Sequence, residues 1–557
     1  MKKTYAMVKK TGLLFLGLTL ISNLSNAQIS GSLESTGQRY VDDNKIQLDG
    51  EDAEHRYRSN SYLKLDYITG SWSFGVQGES YLPLSLLNYN PELKGVDIGT
   101  VYARYSNKKL GLDVTAGHFY EQFGSGLILR SWEDRQLGIN NAILGGRVEY
   151  APADALTFTF LGGRQRVGLG FDLSKGTLYG ANIEAGLSDI LAISTVDISF
   201  GLSYVGRYED YEHRYLNGNN AHLVNSYSGR LSVSKGGFYS EIEYVHKGKD
   251  LLMNMGAPLI DGNKKAGNAF LLDLGYARKG LGVNASLRRM ENMRFYSQHD
   301  LDGNVFNRGV VNYVPALTKQ YDYALQNIYV YQAQPQYQTT PKIAAGEIGG
   351  QLDLYYKFKK NSALGGKYGT QVALNTSYWG GLDIEGDPET GMYTTKALGF
   401  GDKYYNDMAV EVRKKWSKNW SSVFMYLNQH YNRGYIEGKG GMVNATTATA
   451  ETTYKFGKSQ SIRMEGQHQW VKDNFKNWAA ATVEYGLDQH WSFYVHDSYN
   501  YGLDKIHYYN LGASFSKNSS RVALSYGRQR GGLLCVGGVC RMVTEAAGFT
   551  LYVSTSF

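Results

Sequence analysis

The sequence predicts an all-β fold, a transmembrane antiparallel up-and-down β-barrel of about 24 strands (range about 20–26) without a separate plug domain. The last strand alternates, with Phe549, Leu551, Val553 and Phe557 on one face and small or polar residues on the other. Such a strand closes a barrel whose apolar face meets lipid and whose polar face meets the lumen. Composition and the regular spacing of turns support the same class.

The N-terminal segment has the pattern of a secretory signal peptide. Lys2, Lys3, Lys9 and Lys10 precede a short apolar run, and small residues near Ala27 offer a cleavage site. The alternative is an uncleaved anchor, but the apolar run 13–21 is too short to span a bilayer. We therefore expect residues 1–27 to be a signal peptide and residues 28–557 to form one outer-membrane barrel domain.

Composition separates this chain from soluble and nucleic-acid-binding proteins. It holds 66 Gly and 46 Tyr against 8 Pro and 2 Cys, and 13% of its residues are aromatic. Aromatic girdles at both membrane interfaces and a polar interior explain this combination. Without the four N-terminal lysines the formal charge falls from +7 to +3 (7 − 4 = 3), so no nucleic-acid partner is expected.

Turn signals divide the chain into strands. Between them, stretches such as 462–470 alternate, with Ile462 and Met464 opposite Arg463 and Glu465. Eleven short turns are predicted at 69–70, 106–109, 151–154, 187–190, 234–237, 279–280, 359–366, 417–419, 457–459, 487–489 and 516–519. Eleven turns and two terminal strands give 24 strands, and an even count puts both termini on the periplasmic side.

The other connections are mostly longer and are predicted to be extracellular. They lie near 37–56, 83–97, 121–140, 163–175, 208–221, 249–265, 292–342, 380–401, 431–445, 473–474, 501–504 and 531–542. All eight prolines fall in predicted loops or turns. A closed barrel requires this, because proline removes a donor from a sheet.

The two cysteines enclose a tight turn in Cys535-Val-Gly-Gly-Val-Cys540. A two-residue turn at Gly537-Gly538 makes Cys535 and Cys540 a facing, non-hydrogen-bonded pair, whose short separation suits a bridge. In a secreted chain we expect this pair to form a disulfide that staples the last surface loop. A redox-active pair is the alternative.

One connection concentrates charge, aromatic rings and glycine. Residues 117–136 and the strands beside them hold Glu121, Arg130, Glu133, Asp134, Arg135, Arg147, Arg164 and Arg166. Folded into the lumen, opposed acidic and basic groups would set the selectivity of a constriction. The alternative is a salt-bridged loop that braces a wide barrel.

The 292–342 loop is long and rich in tyrosine. Its rings are Tyr313, Tyr321, Tyr323, Tyr329, Tyr331 and Tyr337. Tyrosine supplies contact area at low entropic cost, so we predict a partner-binding surface. The alternative is a cap that packs on neighbouring loops.

No motif points to catalysis or a cofactor. There is no Gly-x-Ser-x-Gly sequence, and Asp300-Leu-Asp302-Gly-Asn304 departs from a calcium loop at Val305 and Val311. We expect a protein that is not an enzyme and that has no catalytic residues, cofactor or metal.

The 117–136 stretch, the Cys-Val-Gly-Gly-Val-Cys-Arg541 segment and the terminal Ser-Phe together resemble uncharacterised outer-membrane barrel proteins of the Bacteroidetes, a family defined by a domain of unknown function. The resemblance implies an integral protein of the bacterial outer membrane. It also implies a place in an envelope machine in which barrels pair with lipoproteins or with secretion and assembly components.

Two functions are therefore predicted. The first is a scaffold or channel subunit of a multi-protein outer-membrane complex, with other barrels or lipoproteins as partners. The alternative is a stand-alone passive pore for small solutes. Outer-membrane lipids surround either one, and the terminal Phe549, Leu551, Val553 and Phe557 are expected to be the signal read by the barrel-assembly machinery.

Overall fold

The computed structural model describes residues 27–210, 222–254, 256–260, 264–301, 308–334, 340–472, 476–536 and 538–557. The predicted signal peptide lies outside these residues, apart from Ala27. Within them, no helix is both long and apolar enough to cross a membrane.

The main sheet has 24 strands, as predicted. The first twelve are β1 (Ala27–Tyr40), β2 (Tyr57–Thr69), β3 (Trp72–Tyr81), β4 (Gly95–Asn107), β5 (Leu112–Phe119), β6 (Ile143–Ala153), β7 (Leu156–Arg166), β8 (Leu173–Gly186), β9 (Asp197–Tyr208), β10 (Leu223–Lys235), β11 (Phe238–Leu251) and β12 (Lys264–Arg278). The others are β13 (Leu281–Glu291), β14 (Gly346–Lys357), β15 (Thr370–Asp387), β16 (Met392–Lys415), β17 (Trp420–Asn432), β18 (Met442–Phe456), β19 (Gln460–Val471), β20 (Trp478–Gly486), β21 (Trp491–Asn500), β22 (Ile506–Lys517), β23 (Ser520–Gln529) and β24 (Ala546–Ser556).

The sheet closes on itself. Each strand pairs antiparallel with its neighbour in sequence, and β24 returns to β1 with a register from Ser32↔Ser556 to Tyr40↔Gly548. Closure removes every sheet edge, which a strand surrounded by lipid requires. The predicted fold class is therefore confirmed.

The two ends of the barrel differ. Ala27, the first described residue, and Phe557 lie at one end, here called the terminal end, where all eleven predicted turns fall between strands and residues Leu187–Ile190 form a helical turn. The opposite end, the loop end, carries the longer connections. These include the short helices Gly50–Glu54, Pro341–Ala345 and Arg433–Ile436 and the 3-10 turn Ala324–Asn327.

One predicted loop is wrong. Residues 380–401 belong mostly to β15 and β16, and only 388–391 connect them. The pairing of β15 with β14 ends at Gly381, and that of β16 with β17 ends at Tyr405. The two strands therefore continue beyond the barrel rim as a β15–β16 ribbon (382–404), interrupted by bulges.

The proline prediction needs a smaller correction. Pro152 lies in the last residues of β6, where the register shifts between Tyr150 and Ala153. At such an irregularity the sheet does not need a backbone N–H donor, so proline is tolerated there. Pro258 lies in a two-residue strand of a small loop hairpin, Pro341 begins a helix, and Pro335 lies outside the described residues.

The exterior carries an apolar band between aromatic belts. Large hydrophobic side chains such as Phe160, Leu202, Val410 and Leu511 are exposed on it. Aromatic rings cluster at the terminal end, as in the stacked pair Trp72–Phe74, whose centroids are 6.0 Å apart. In β24, Phe549 and Leu551 are exposed as predicted. A band of this kind is typical of a barrel wall that meets lipid.

Candidate functional site

Three of the described connections at the loop end fold into the lumen and contact one another. They are the first plug loop (120–142), the described parts of the second plug loop (292–345), and the disulfide hairpin, whose strands are Gly532–Val536 and Val539–Val543. Together they are called the plug.

An apolar belt on the inner wall receives one side of the plug. Seven consecutive strands, β7 to β13, each turn an aliphatic or Met residue inward: Leu161, Leu178, Val205, Val224, Val245, Ala269 and Met290. Phe123 and residues 127–129 of the first plug loop, with Phe295 and Val311 of the second, also belong to this cluster. The composition had suggested a polar interior, but this part of the inner wall is apolar.

The second plug loop also packs on the part of the wall formed by β15 to β20. Its Leu325, Ile328, Tyr329 and Tyr331 pack in a cluster with Trp379, Tyr405, Tyr431 and Trp478, which lie on β15, β16, β17 and β20. Val314 and Leu317 contact both this cluster and the one on the apolar belt. Apolar packing thus runs from the wall of β7–β13 to the wall of β15–β20.

Glutamines of the wall satisfy the plug backbone. Gln429 donates to Tyr329 O at 2.9 Å, and Gln469 donates to Leu325 O at 2.8 Å. Gln467 accepts from Leu325 N at 3.0 Å. These partners are required because buried backbone groups are costly when unpaired.

Glu347 on β14 is the main polar anchor. One carboxylate oxygen accepts from Tyr331 Oη at 2.6 Å and from Gln334 N at 2.9 Å, and the other accepts from Arg288 at 3.0 Å. Arg288 also donates to Pro315 O at 2.7 Å. Both charged side chains are buried, so the pair depends on these plug contacts for complete hydrogen bonding.

The predicted disulfide is present, but not on the surface. Cys535 and Cys540 are bonded, and Cys540 is 1% exposed. The hairpin contacts both plug loops, because Gly538 O accepts from Ala316 N at 2.8 Å and Arg541 donates to Gln136 O at 2.8 Å. The staple therefore holds the plug together; Gly537 of its turn lies outside the described residues.

The charges predicted to line a constriction mostly pair with each other and with the wall. Arg135 contacts Glu34 of β1 at 2.8 Å and Glu133 at 3.2 Å. Arg147 contacts Glu121 at 2.5 Å. This is the geometry of the bracing alternative, because opposed charges that are paired make little field across a lumen.

The remaining members of that set have separate roles. Asp134 accepts from Leu137 N at 2.8 Å within a turn, and the Arg130 guanidinium lies 3.9 Å from the Tyr313 ring centroid. Arg166 forms a buried two-point ion pair with Glu79 of β3, at 2.6 and 2.9 Å.

Arg164 was wrongly predicted to face the lumen. It is exposed and shares the outer face of β7 with Phe160, and its guanidinium donates to Ser174 O at 2.6 Å. The register shift between Arg164 and Arg166 then turns Arg166 inward. A bulge of this kind overrides strict alternation.

The predicted docking tyrosines are inside the barrel. Tyr321, Tyr323, Tyr329 and Tyr331 are buried, while Tyr313 packs on Trp132 and Arg130 of the first plug loop. Tyr337 lies outside the described residues. These rings therefore do not form an exposed surface, and the prediction that they bind a partner there is not retained.

A buried ionic cluster fixes the start of the second plug loop. His299 lies between two carboxylates, with Nδ1 2.5 Å from Glu209 and Nε2 2.8 Å from Asp250. Arg207 contacts Asp250 at 3.0 Å, and Lys247 lies 3.9 Å from it. Burial alone would lower the pKa of His299, but the two carboxylates raise it above its ordinary value.

The described residues contain no group of three His, Cys, Asp or Glu side chains placed to hold a metal ion. Asp300 pairs with Lys175 at 2.5 Å, and Asp302 and Asn304 lie outside the described residues.

Glu347, Arg288 and the wall glutamines were not predicted from the sequence. Alternation at 462–470 did place Gln467 among the polar residues of its strand. Inward-facing amide side chains in place of charged ones could have indicated a buried loop, because an amide can pair with both the N–H and the C=O groups of a backbone.

Comparisons with known proteins give a family and several structures of similar architecture. No curated protein matches the sequence. Among solved structures, the P pilus usher (PapC) translocation pore is 10% identical, with 95% of this chain and 99% of that chain covered and a TM-score of 0.43. The PapC-containing P pilus tip assembly intermediate of E. coli is 11% identical, with a TM-score of 0.49; the match covers 96% of this chain and 62% of that chain.

A third similar structure is Pseudomonas aeruginosa OccK3 (OpdO), which is 10% identical, with 97% of both chains covered and a TM-score of 0.36. At these values the likenesses carry no functional argument. The family model matches residues 4–557, so this chain belongs to the family of unknown function DUF6029.

Proposed function

We propose that this protein is a gated channel of the bacterial outer membrane whose plug closes the loop end in the resting state. The observation that carries the proposal is the apolar packing from wall to wall, which Val314 and Leu317 make continuous. Conduction would require the second plug loop to leave the wall of β15–β20.

The outer face of the barrel supports the proposed location in the outer membrane. An apolar band with aromatic rings at its borders suits lipid contact along the whole wall. The predicted signal peptide would direct the chain to the periplasm, and the terminal end would then face the periplasm with both termini. We propose no enzymatic activity, because the plug contacts described are structural hydrogen bonds and ion pairs.

Single-channel recording in planar bilayers tests the channel. Wild-type protein is expected to be closed for most of the record. Replacement of residues 316–333 by Gly and Ser residues of equal number keeps the chain length but removes the packing, and should give a large, steady conductance. The same replacement at 501–505, which is exposed at the loop end, is the control and should leave the channel closed. Equal conductance of all three proteins would contradict the proposal.

The β15–β16 ribbon favours a second function, a subunit of an envelope complex. The ribbon extends past the rim, and its Met392, Leu398 and Phe400 are 73%, 86% and 52% exposed. Exposed apolar side chains grouped on such a ribbon are typical of protein contacts. Purification in mild detergent tests this: partners at fixed ratio with the wild type, lost when Leu398 and Phe400 are changed to Ser, would support the complex. Recovery of the protein alone would contradict it.

A further inference from the structure

A pocket of about 290 Å³ lies inside the barrel between the second plug loop and the wall of β20–β23. Small-molecule sites have volumes of about 300–1,000 Å³, so this pocket has the size of the smallest of them. The plug supplies one side, at the 3-10 turn Ala324–Asn327, and the barrel supplies the other.

One part of the pocket is apolar and aromatic. Leu325 and Ile328 of the plug are buried there. Opposite them, the rings of Trp478 and Tyr508 stack with centroids 6.0 Å apart. Such walls accept the apolar body of a ligand and favour a flat one.

Two arginines line the other part, and their surroundings differ. Arg528 is neutralised by Asp43 at 2.7 Å and also donates to His507 O at 2.9 Å. For Arg530, no carboxylate of the described chain lies within 4.0 Å, and its guanidinium donates a weak hydrogen bond to Asn327 O at 3.5 Å. A guanidinium held beside a pocket with no carboxylate in direct contact favours an anion there.

We propose that this pocket binds a small monocarboxylate, with its carboxylate on Arg530 and its apolar body against Leu325, Ile328 and the Trp478–Tyr508 pair. A guanidinium can hold a carboxylate through two parallel hydrogen bonds, which fixes the orientation of the ligand. Tyr508 donates to Glu545 at 3.0 Å, so a second negative charge on the ligand would be repelled near that carboxylate. This limits the ligand to one charge.

Binding does not require that the protein conduct, so this proposal and the proposed function can fail separately. Titration calorimetry on the purified full chain in detergent, with phenylacetate and hexanoate as probes, measures it directly. Phenylacetamide has nearly the shape of phenylacetate without the charge. We expect saturable binding of at least one carboxylate and binding of the amide that is at least about tenfold weaker.

Two variants locate the site. Arg530→Gln removes the charge and should weaken carboxylate binding about 10- to 100-fold. Arg521→Gln is the matched control, because Arg521 lies exposed at the other end of β23, and it should bind like the wild type. Ala324→Phe keeps Arg530 but places a ring at the pocket, since Ala324 is exposed there, and should abolish binding.

The proposal is overturned by any of three results. The first is that neither carboxylate binds the wild type, and the second is that the amide binds as tightly as phenylacetate. The third is that Arg530→Gln and Arg521→Gln bind the carboxylate equally well. Heat-modifiable migration of each variant, measured in parallel, confirms that the barrel has folded.

Discussion

Tyr331→Phe is the sharpest test of how the plug is held. The Tyr331 hydroxyl donates to Glu347 at 2.6 Å, and its ring packs on Trp379 and Tyr405 with centroid distances of 5.6 Å in both cases. The substitution removes one oxygen and leaves the ring in place. Its effect therefore reports the hydrogen bond between plug and wall, not the packing.

The magnitude follows from the character of that bond. A hydrogen bond to a charged group contributes about 1.5–3 kcal/mol. Glu347 keeps its bonds from Arg288 and Gln334 in the variant, so little is added for an unpaired carboxylate and the lower part of the range applies. If the bond exists only in the closed state, the ratio of open to closed channels should rise about tenfold or somewhat more.

Open probability in single-channel recordings measures this ratio. Tyr405→Phe is the matched control, because the equally buried Tyr405 hydroxyl bonds to Asp407 and Gln429, at 3.1 Å each, and both are wall residues. Those bonds need not break when the plug moves, so open probability should match that of the wild type. An equal change in both variants, or none in Tyr331→Phe, would refute the reasoning.

Three further predictions concern other parts of the chain. The pKa of His299 is raised in the folded state. Protonated His299 therefore stabilises the closed plug fully below about pH 6.5, and this stabilisation is lost as pH rises through the raised pKa. Open probability in single-channel recordings should increase with pH, and His299→Gln should flatten that pH profile. Replacing Cys535 and Cys540 by Ser should lower the free energy of unfolding by about 2 kcal/mol, measured by denaturant titration, because the bridge closes a short loop; unchanged stability would count against a staple. Deleting Phe557 should deplete the protein from isolated outer membranes, whereas Ser556→Ala should not; normal assembly of the deletion would exclude an assembly signal.

Local features of the fold could be predicted from the sequence. The eleven turns and the cysteine hairpin depend on neighbouring residues, and the structure has them where expected. Where the register between two strands shifts, as beside Arg164, alternation misassigns the side chain. The 380–401 segment was predicted to be a loop, but its strands pair with each other beyond the rim.

The inward course of the long loops could not be predicted. Val205 and Val245 face inward like the polar residues around them, and nothing local shows that a distant loop covers them. The tyrosines of the second plug loop are buried by contacts with residues far away in sequence, such as Trp379 and Tyr431. The local sequence does not show this burial, so these tyrosines were predicted to form a binding surface. Such contacts follow from closure of the barrel, not from periodicity.

A covalent lock between plug and wall tests the central claim most directly. Lys319 of the second plug loop donates to Asn375 of β15 at 2.7 Å. Lys319→Cys and Asn375→Cys, placed in the Tyr331→Phe background, can be joined by a short bismaleimide while the native cysteines remain bonded to each other. We predict that joining them abolishes channel openings, and that either single cysteine treated in the same way still opens. Openings that persist at full strength after cross-linking would contradict a gate formed by the second plug loop.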